Sequence, residues 1–281
     1  MQKPLVSIII PTRNSGKTIG ALLSSIRKQT YSDIEVIVVD GGSTDCTLDI
    51  AKEYKTITIN NQSSAIDSRT ENKNIGAREA SGKYLYFVDA DMELPPTVIE
   101  GCVKVCEEGF DALTLPEVSI GDGFWTKCRG LEKELSLDEP YKVACRFMKA
   151  DIFSSAGEFD ESMVFNEDID LHIRVLKRGY RVKLPREIIV YHREVDSLTH
   201  ILAKTFYYGK SAPKYIRRNP RESFSRVLIF RLQWLKHYKL LLKQPLIALG
   251  MLFMIFMKYA ATLSAMVYSA LSKFIGNRGQ S

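Results

Sequence analysis

Three short acidic motifs supply side chains that could carry chemistry. Asp89-Ala90-Asp91 directly follows an apolar run, and Glu93 continues the alternation. Because alternate residues of an extended chain share a face, these carboxylates are predicted to point the same way. Carboxylate oxygens suit Mg²⁺ or Mn²⁺ held together with a substrate diphosphate. The alternative is a polar turn after a strand, because so short a pattern recurs by chance.

The other two motifs suggest nucleotide binding and proton transfer. Asp40-Gly41-Gly42-Ser43 follows a second apolar run, and its glycines let the backbone approach a ligand while Asp40 accepts a hydrogen bond from a nucleobase. Glu167, Asp168 and Asp170 occupy the first turn of a predicted helix. There they either interact favourably with the helix dipole or raise one another's proton affinity, so that one serves as a general base.

The elements that must position these motifs alternate between two hydrophobic periods. The main predicted elements are strands at Leu5–Ile10, Ile34–Val39, Tyr84–Val88 and Glu187–Tyr191 and a helix at Glu167–Arg178. Residues 121–141 are predicted as a long loop or a short helix. Strands separated by helices indicate βαβ units and a mostly parallel sheet. Ligands of such sheets bind beyond the carboxyl ends of the strands, where Asp40 and Asp89 are expected.

Charge is distributed unevenly along the 281 residues. Residues 199–281 contain 14 Lys or Arg and one acidic residue, a net charge of +13, whereas residues 1–198 carry −7. An acidic body argues against a nucleic-acid-binding protein, and a basic tail indicates attachment to an anionic membrane. The predicted domains are accordingly 1–198, which carries the chemistry, and 199–281, which attaches to the membrane.

Within the tail, Ile201–Arg218 and Ser223–Leu242 are basic and amphipathic, with interspersed aromatic residues such as Phe224 and Phe230. Pro245–Leu271 is apolar apart from Lys258 and is long enough to cross a bilayer. Lys and Arg flank both of its ends, so a dip into one leaflet is the alternative to a full crossing.

The five cysteines are odd in number and contain no CxxC motif. They are interpreted as small packing side chains in a reducing compartment rather than as a zinc site or a disulfide framework. The apolar run at Leu5–Ile10 is too short for a signal peptide, so the body of the protein is expected not to be exported.

Taken together, five motifs occur in the order found in family 2 glycosyltransferases. The chain resembles that family over about residues 4–195, through Val6–Asn14, Asp40–Asp45, Lys73–Gly82, Asp89–Asp91 and the segment from Gly157 to Val182. The resemblance implies a GT-A fold, an α/β nucleotide-sugar-binding sandwich with a mostly parallel sheet. It also implies inverting, metal-dependent glycosyl transfer from a nucleotide sugar, with Mn²⁺ or Mg²⁺ as cofactor.

The resemblance further assigns nucleotide-binding roles to individual residues. Pro11, Thr12 and Arg13 match residues that line the nucleotide cleft. Asp40 matches the residue that contacts the base. Asp89 matches a residue that faces the ribose or the metal.

Metal-binding and catalytic roles follow from the same resemblance. Asp91 matches the principal metal ligand, and Glu93 is a candidate third oxygen ligand. His192 lies where many GT-A enzymes have a further metal-binding histidine. Asp168 matches the catalytic base, and Glu167 is its neighbour.

The sequence also suggests a donor and an acceptor. Asp89–Pro96 resembles the corresponding run of polyprenyl-phosphate mannose synthases, but with Glu93 where they usually carry glutamine, which favours GDP-mannose over UDP-hexoses. A phosphate acceptor is already anionic, whereas a sugar hydroxyl needs a base. The Glu167-Asp168 pair therefore favours a hydroxyl of a lipid-linked glycan.

The expected protein is a membrane-associated transferase with its catalytic domain on the cytoplasmic side. Two alternatives stay open. One is a polyprenyl-phosphate glycosyltransferase, which would use the lipid phosphate itself as acceptor. The other is an inactive membrane scaffold with a GT-A fold.

Overall fold

The structure is a computed structural model that describes residues 3–61, 69–137, 143–163, 165–221, 223, 234 and 236–278, the last six by their backbone only. The chain divides into two compact units. The first comprises Met1–Val118, Val143–Ser162 and Glu167–Arg193, and the second comprises Ser119–Lys142, Met163–Asn166 and Glu194–Ser281. Most of the predicted amphipathic segment Ser223–Leu242, with Phe224 and Phe230, lies outside the described residues.

The strands and helices alternate through the first unit. The strands are β1 (Val6–Thr12), β2 (Ile34–Asp40), β3 (Ile57–Asn60), β4 (Tyr84–Phe87), β5 (Met92–Glu93), β6 (Ala112–Thr114), β7 (Glu117–Ile120), β8 (Cys145–Lys149), β9 (Val182–Lys183) and β10 (Val190–Arg193). The helices are α1 (Ile19–Arg27), α2 (Thr47–Glu53), α3 (Arg69–Arg78), α4 (Val98–Glu107), α5 (Phe124–Leu135), α6 (Ala150–Ser155), α7 (Glu167–Lys177), α8 (Leu198–Gly209), α9 (Ala212–Arg218), α10 (Tyr238–Lys243) and α11 (Pro245–Arg278).

A seven-stranded sheet in the order β3-β2-β1-β4-β8-β6-β9 forms the centre of the first unit. Strands β3, β2, β1 and β4 pair in parallel, whereas β8 is antiparallel to both β4 and β6. The predicted α/β class with a mostly parallel sheet is therefore confirmed. The carboxyl ends of β1, β2 and β4 consequently lie at one edge of the sheet.

Both faces of this sheet are covered, which explains the uninterrupted apolar sequence of β1. Ile8 and Ile10 belong to a hydrophobic cluster with residues of α1 and α4. Ile9 points to the other face and joins a cluster with residues of α6 and α7. Alternate side chains of one strand thus build two separate cores, and burial on both sides fixes the strand register.

A second, three-stranded sheet has the order β5-β10-β7. Strand β10 runs antiparallel to β5, with His192 opposite Met92 and Tyr191 opposite Glu93. The sequence predicted the last strand at Glu187–Tyr191, but β10 is shifted towards the carboxyl end, so His192 lies inside the strand. The backbone N–H of Arg193 donates to the carbonyl of Asp91, which fixes β10 against the acidic motif.

The second unit is helical. Its core joins residues of α5, α8 and α11, among them Cys128, Ile201 and Met251. Residues 121–141, predicted as a loop or short helix, contain the twelve-residue helix α5. All five cysteines are free, and four of them are buried, as the sequence predicted.

Helix α11 is long and apolar enough over Pro245–Ser272 to cross a membrane, by length and composition. One of its faces packs in the core, whereas Leu249, Phe253, Phe256 and Leu263 are exposed. Its only charged residue in this apolar stretch, Lys258, forms an ion pair with Glu132 of α5 at 2.8 Å. The helix is a candidate membrane anchor whose charge is matched within its own unit.

Candidate functional site

The DxD motif forms a turn at the sheet edge rather than a continuation of the strand. Asp89 follows β4, and the N–H of Met92 donates to the Asp89 carbonyl at 3.0 Å. The extended alternation assumed from the sequence therefore does not hold, because the chain reverses before β5 begins. As a result Asp89 and Asp91 have different partners.

Asp89 pairs with an arginine from the middle of the sheet. Nη1 of Arg146 in β8 lies 3.1 Å from Oδ2 of Asp89, and its Nε lies 3.0 Å from Oε1 of Glu117. Burial raises the pKa of Asp89, but the charges of Arg146, Lys73 and Arg69 outweigh it and hold that pKa well below its ordinary value. Asp89 is therefore a fixed negative charge at neutral pH.

The Arg146 guanidinium is the positive centre of this group. Burial lowers its pKa, but the carboxylates of Asp89, Glu117 and Asp168 outweigh burial and raise it. Asp168 comes from α7, far along the chain from Asp89. Acids from β4, β7 and α7 thus act on one arginine.

Asp91 contacts the predicted histidine. Nε2 of His192 lies 3.2 Å from Oδ2 of Asp91, and Nδ1 of the same ring lies 3.3 Å from Oε2 of Glu117. Glu117 therefore contacts both Arg146 and His192 and holds the imidazole from behind. A carboxylate on one ring nitrogen orients the other nitrogen, which is how histidine ligands of metals are commonly held.

Glu93 has a different partner. Its carboxylate forms an ion pair with Arg193, which lies on the neighbouring strand β10. Among the described residues, no group of three or more His, Cys, Asp and Glu side chains is arranged to hold a metal ion. The structure brings Asp91 and His192 together but does not assemble them with Glu93 into a closed three-ligand site.

The two acids at the start of α7 have unequal surroundings. Asn166 adopts a left-handed backbone (φ 57°) before the helix, a conformation that asparagine tolerates well. Glu167 is buried and forms ion pairs with Lys73 at 3.0 Å and Arg69 at 3.5 Å. Asp168 is half-buried and accepts the N–H of Ile169 at 2.8 Å. Glu167 is thus fixed by two cations, whereas Asp168 keeps part of its surface exposed.

The predicted nucleotide residues lie at the same sheet edge. Pro11 and Thr12 end β1 opposite Val39 and Asp40, and β1 separates β2 from β4. With neighbouring strands about 4.8 Å apart, the ends of β2 and β4 are about 10 Å apart. The Thr12 hydroxyl is buried and has no hydrogen-bond partner within the described part of the chain.

The Asp40 carboxylate is bound by its own loop. It accepts the N–H groups of Gly42 at 3.0 Å and Ser43 at 2.8 Å, and also the Ser43 hydroxyl. Asn14, which follows the exposed Arg13, donates its N–H to Ser43 at 2.7 Å. These bonds hold the loops after β1 and β2 together, and the nucleobase contact of Asp40 stays a prediction.

Comparison with known proteins places this site in a family. The sequence model of glycosyl transferase family 2 matches residues 7–155, more than half of the chain. The chain belongs to this family. It is a glycosyltransferase of the GT-A fold that acts on nucleotide sugars, as the resemblance implied.

Individual relatives and solved structures agree with the family. The chain is 26% identical over 221 residues to the glycosyltransferase AglE of Haloferax volcanii, covering 74% of this chain and 72% of the relative. The mannosyltransferase PcManGT of Pyrobaculum calidifontis, solved with GDP-Man and Mn²⁺, shares the fold with a TM-score of 0.60 at 17% identity, over 99% of this chain and 81% of that one. TarS 1–349 of S. aureus gives 0.57 at 19% identity, over 97% and 92% of the two chains.

Members of this family commonly use divalent metals, and the residues present here fit such an ion. Asp91 and His192 supply one carboxylate and one imidazole within 3.2 Å of each other, and the Asp91 side chain is 36% exposed. Mg²⁺ is usually held by one or two carboxylates together with substrate phosphates and water. An incomplete protein ligand set therefore matches a metal that arrives with the diphosphate.

Sequence reasoning missed Arg146, Glu117 and the role of Lys73. A signal for Arg146 was present, because a charged residue inside the buried strand Cys145–Lys149 is rare unless it is paired. Glu117 carried no such signal, since its short strand has no clear periodicity. Lys73 was part of a family motif, but only the fold shows that its ammonium group reaches Glu167.

Proposed function

We propose that this glycosyltransferase is an inverting, metal-dependent hexosyltransferase that transfers a hexose, with GDP-mannose as the favoured donor, to a hydroxyl of a lipid-linked glycan at the membrane surface. The observation that carries the proposal is the grouping of Asp89, Asp168 and Glu117 around Arg146, with the Asp91–His192 pair attached through Glu117. Acids from distant segments meet at the sheet edge where ligands of such folds bind.

Asp91 and His192 would hold Mn²⁺ or Mg²⁺ at the donor diphosphate. When bound, the ion neutralises charge that develops on the departing nucleoside diphosphate. Asp89, fixed by Arg146, faces the ribose or the metal. Pro11, Thr12 and Arg13 line the nucleotide cleft, which agrees with the unpartnered buried hydroxyl of Thr12.

Asp168 is the proposed general base. It is half-buried, whereas its neighbour Glu167 is fully occupied by Lys73 and Arg69. Of the two acids, Asp168 is therefore the one able to accept a proton from an acceptor hydroxyl. In-line attack of that hydroxyl on the anomeric carbon would invert its configuration in a single displacement. Glu167 would hold the first turn of α7 in place.

The donor preference has two supports. Asp89–Pro96 resembles the corresponding run of polyprenyl-phosphate mannose synthases, and PcManGT was solved with GDP-Man and Mn²⁺. UDP-hexoses are the competing donors, because TarS 1–349 was solved with UDP-GlcNAc. A base at Asp168 favours a hydroxyl acceptor over a polyprenyl phosphate.

Helix α11 is the proposed membrane attachment, with the catalytic residues on the cytoplasmic side and the boundary between catalysis and attachment near residue 198. Because Lys258 is paired with Glu132 of α5, we propose that α11 lies along the membrane by its exposed face and does not cross it. Replacing Phe256 by Glu in the full-length protein should release it from anionic vesicles in flotation. The control is Val195→Glu, an exposed valine outside α11. Retention of the Phe256 variant on vesicles would contradict this attachment.

The activity is tested with full-length protein, a panel of GDP-mannose, UDP-glucose and UDP-GlcNAc, and Mn²⁺ or EDTA. Acceptors are a polyprenyl diphosphate-linked glycan and a polyprenyl phosphate. We expect transfer to the glycan, its loss with EDTA, and a decrease of about 100-fold or more in turnover for Asp168→Asn with nucleotide binding retained.

Asp151→Asn is a matched control for Asp168→Asn. Asp151 also lies in the first turn of a helix and accepts the N–H of the next residue at 2.8 Å, so the two substitutions remove the same local hydrogen bond. Asp151→Asn should leave turnover unchanged. Near-normal turnover of Asp168→Asn would refute the base assignment, and transfer to polyprenyl phosphate alone would select the other acceptor class. Absence of nucleotide binding with Mn²⁺ would indicate an inactive scaffold.

A further inference from the structure

The second unit contains a groove that the glycosyl-transfer chemistry does not use. It has a volume of about 610 Å³ and lies between α8 and α11. Its walls are mainly apolar, with Leu202, Ala203 and Phe206 on one side and Met257, Ala260 and Ala261 on the other. The groove therefore has one helix along each side.

The two helices converge at Gly209. A Cβ atom at this glycine would lie 3.0 Å from the Cβ of Ala265 and 3.1 Å from the Cα of Thr262, so the close approach requires glycine. Small side chains on α11, including Ala260 and Ala261, leave the space open on the side of Phe206. The groove is thus a consequence of side-chain size on both helices.

A lysine lies in the wall of this groove, next to Gly209. Nζ of Lys210 lies 5.3 Å from the ring centre of Tyr268, 5.5 Å from that of Phe206 and 5.8 Å from that of Tyr207. Such contacts attract a cation but leave its charge in place. Within the described residues no carboxylate pairs with Lys210, and residues 198–218 contain five Lys or Arg and no acid. The cation in the groove wall is therefore available to an anion.

An apolar groove with a cation in its wall matches an amphiphile that has an anionic head. We propose that the groove binds a polyprenyl phosphate, with the chain along Ala260 and Ala261 and the phosphate at Lys210. The apolar walls require a chain, which a free phosphate lacks. A groove bounded by one helix on each side takes a single chain, whereas a phospholipid carries two.

This assignment deepens the proposed function, and it rests on that function only in identifying the lipid as the carrier of the acceptor glycan. The exposed apolar residues of α11, such as Phe253 and Phe256, provide the route by which a membrane lipid reaches the groove. The phosphate of the carrier would be held by the same helices that attach the protein to the membrane. The groove would then select the lipid, while the acids of the first unit act on the sugar.

The test measures binding of farnesyl phosphate, a short polyprenyl phosphate, to full-length protein in neutral detergent by calorimetry. We expect Lys210→Gln to weaken binding about fivefold or more, because one cation near an anionic headgroup contributes on that scale. Ala261→Trp should weaken it about tenfold by filling the groove. The matched controls are Lys204→Gln, which removes a charge from α8 outside the groove, and Ala270→Trp, which adds the same bulk to an exposed position of α11. Both controls should bind within twofold of the unmodified protein.

Several results would overturn the proposal. Equal losses in Lys204→Gln and Lys210→Gln would show a diffuse charge effect, and unchanged binding in Ala261→Trp would show that the chain lies elsewhere. Inorganic phosphate binding as tightly as farnesyl phosphate would remove the role of the chain. Equal competition by phosphatidylglycerol micelles would contradict a single-chain lipid.

Two controls separate this proposal from neighbouring questions. Retained nucleotide binding reports that each variant is folded, and if Ala261→Trp fails this control, Lys210→Gln decides the result. The assay contains neither donor nor metal, so it does not depend on catalysis. Farnesyl phosphate binding without any sugar transfer would count against the proposed activity alone, whereas transfer without groove-dependent binding would count against the groove alone.

Discussion

Arg146 offers the sharpest test of how the acidic site is held together. Its guanidinium contacts Asp89 at 3.1 Å and Glu117 at 3.0 Å, and Glu117 in turn contacts His192. Replacing Arg146 by Met keeps much of the side-chain length and removes the charge. The two carboxylates then remain partly buried without the cation that neutralises them, and the orientation of His192 depends on Glu117 alone.

The expected magnitude follows from exposure. The side chains of Arg146, Asp89 and Glu117 are 15%, 25% and 17% exposed. Removing one partner of a fully buried ion pair costs about 3–5 kcal/mol, and an exposed pair is worth up to about 1 kcal/mol. We expect Arg146→Met to lower the free energy of unfolding of the first unit by about 2–4 kcal/mol. Arg78→Met breaks the more exposed pair with Glu158 and should cost no more than about 1 kcal/mol.

The loss should depend on pH in a defined direction. In the unmodified protein the cations hold the pKa of Asp89 well below its ordinary value, so the carboxylate stays charged above about pH 4 in both the folded and the unfolded chain. In Arg146→Met burial raises that pKa above the unfolded value of about 3.9. The folded variant then takes up a proton first, and its stability deficit becomes smaller at pH 5 than at pH 8.

Denaturant-dependent amide exchange of peptides from β4 and β8, corrected for the intrinsic pH dependence of exchange, measures this loss. Tryptophan fluorescence would be unsuitable, since Trp125 and Trp234 both belong to the second unit. Adding Asp89→Asn to Arg146→Met should recover part of the loss, because the uncompensated charge is gone. A loss that is the same at both pH values and unchanged in the double variant would refute the electrostatic explanation.

Two further predictions concern buried ionisable groups. Burial lowers the pKa of His172 from 6.5 to about 4, so the folded state binds its proton more weakly than the unfolded chain, and the free energy of unfolding should fall as pH decreases from about 6.5 to about 4, by up to about 3 kcal/mol. Amide exchange of α7 should show this slope, and His172→Gln should flatten it. Glu132→Gln leaves Lys258 without its carboxylate and should destabilise the second unit by about 1–2 kcal/mol in a tryptophan-monitored urea titration, because this pair is only partly buried. Equal stability of Glu132→Gln and the unmodified protein would show that the pair contributes nothing.

The sequence predicted the parts of the fold that depend on local periodicity. The apolar runs of β1, β2 and β4 and the amphipathic face of α7 identify their elements within about two residues. The pairing of β8 with β4 was not predictable in this way, because an antiparallel insertion into a parallel sheet leaves no periodic signal. The shift of β10, which places His192 inside a strand, is set by pairing with β5 and not by the composition of residues 187–191.

For the candidate site, the sequence predicted acids correctly but not their cations. The resemblance supplied Asp89, Asp91 and Asp168, because carboxylates recur at fixed positions of family motifs. Arg146 and Lys73 come from other segments, and only the fold brings their charges to these acids. Short-range motifs therefore indicate which groups react, whereas the groups that set their charge depend on tertiary contacts.

These cations divide the acids of the site into two classes. Arg146 compensates Asp89 and Glu117, and Lys73 with Arg69 compensates Glu167, so these carboxylates have fixed positive partners within the protein. Asp91 has only an imidazole against it, and Asp168 accepts a backbone N–H while staying partly exposed. A fully compensated carboxylate has little affinity left for a metal ion or a proton, whereas an incompletely compensated one retains it. The two acids in the second class are those to which we assign metal binding and proton removal, so the distribution of charge supports the same division of labour as the motifs.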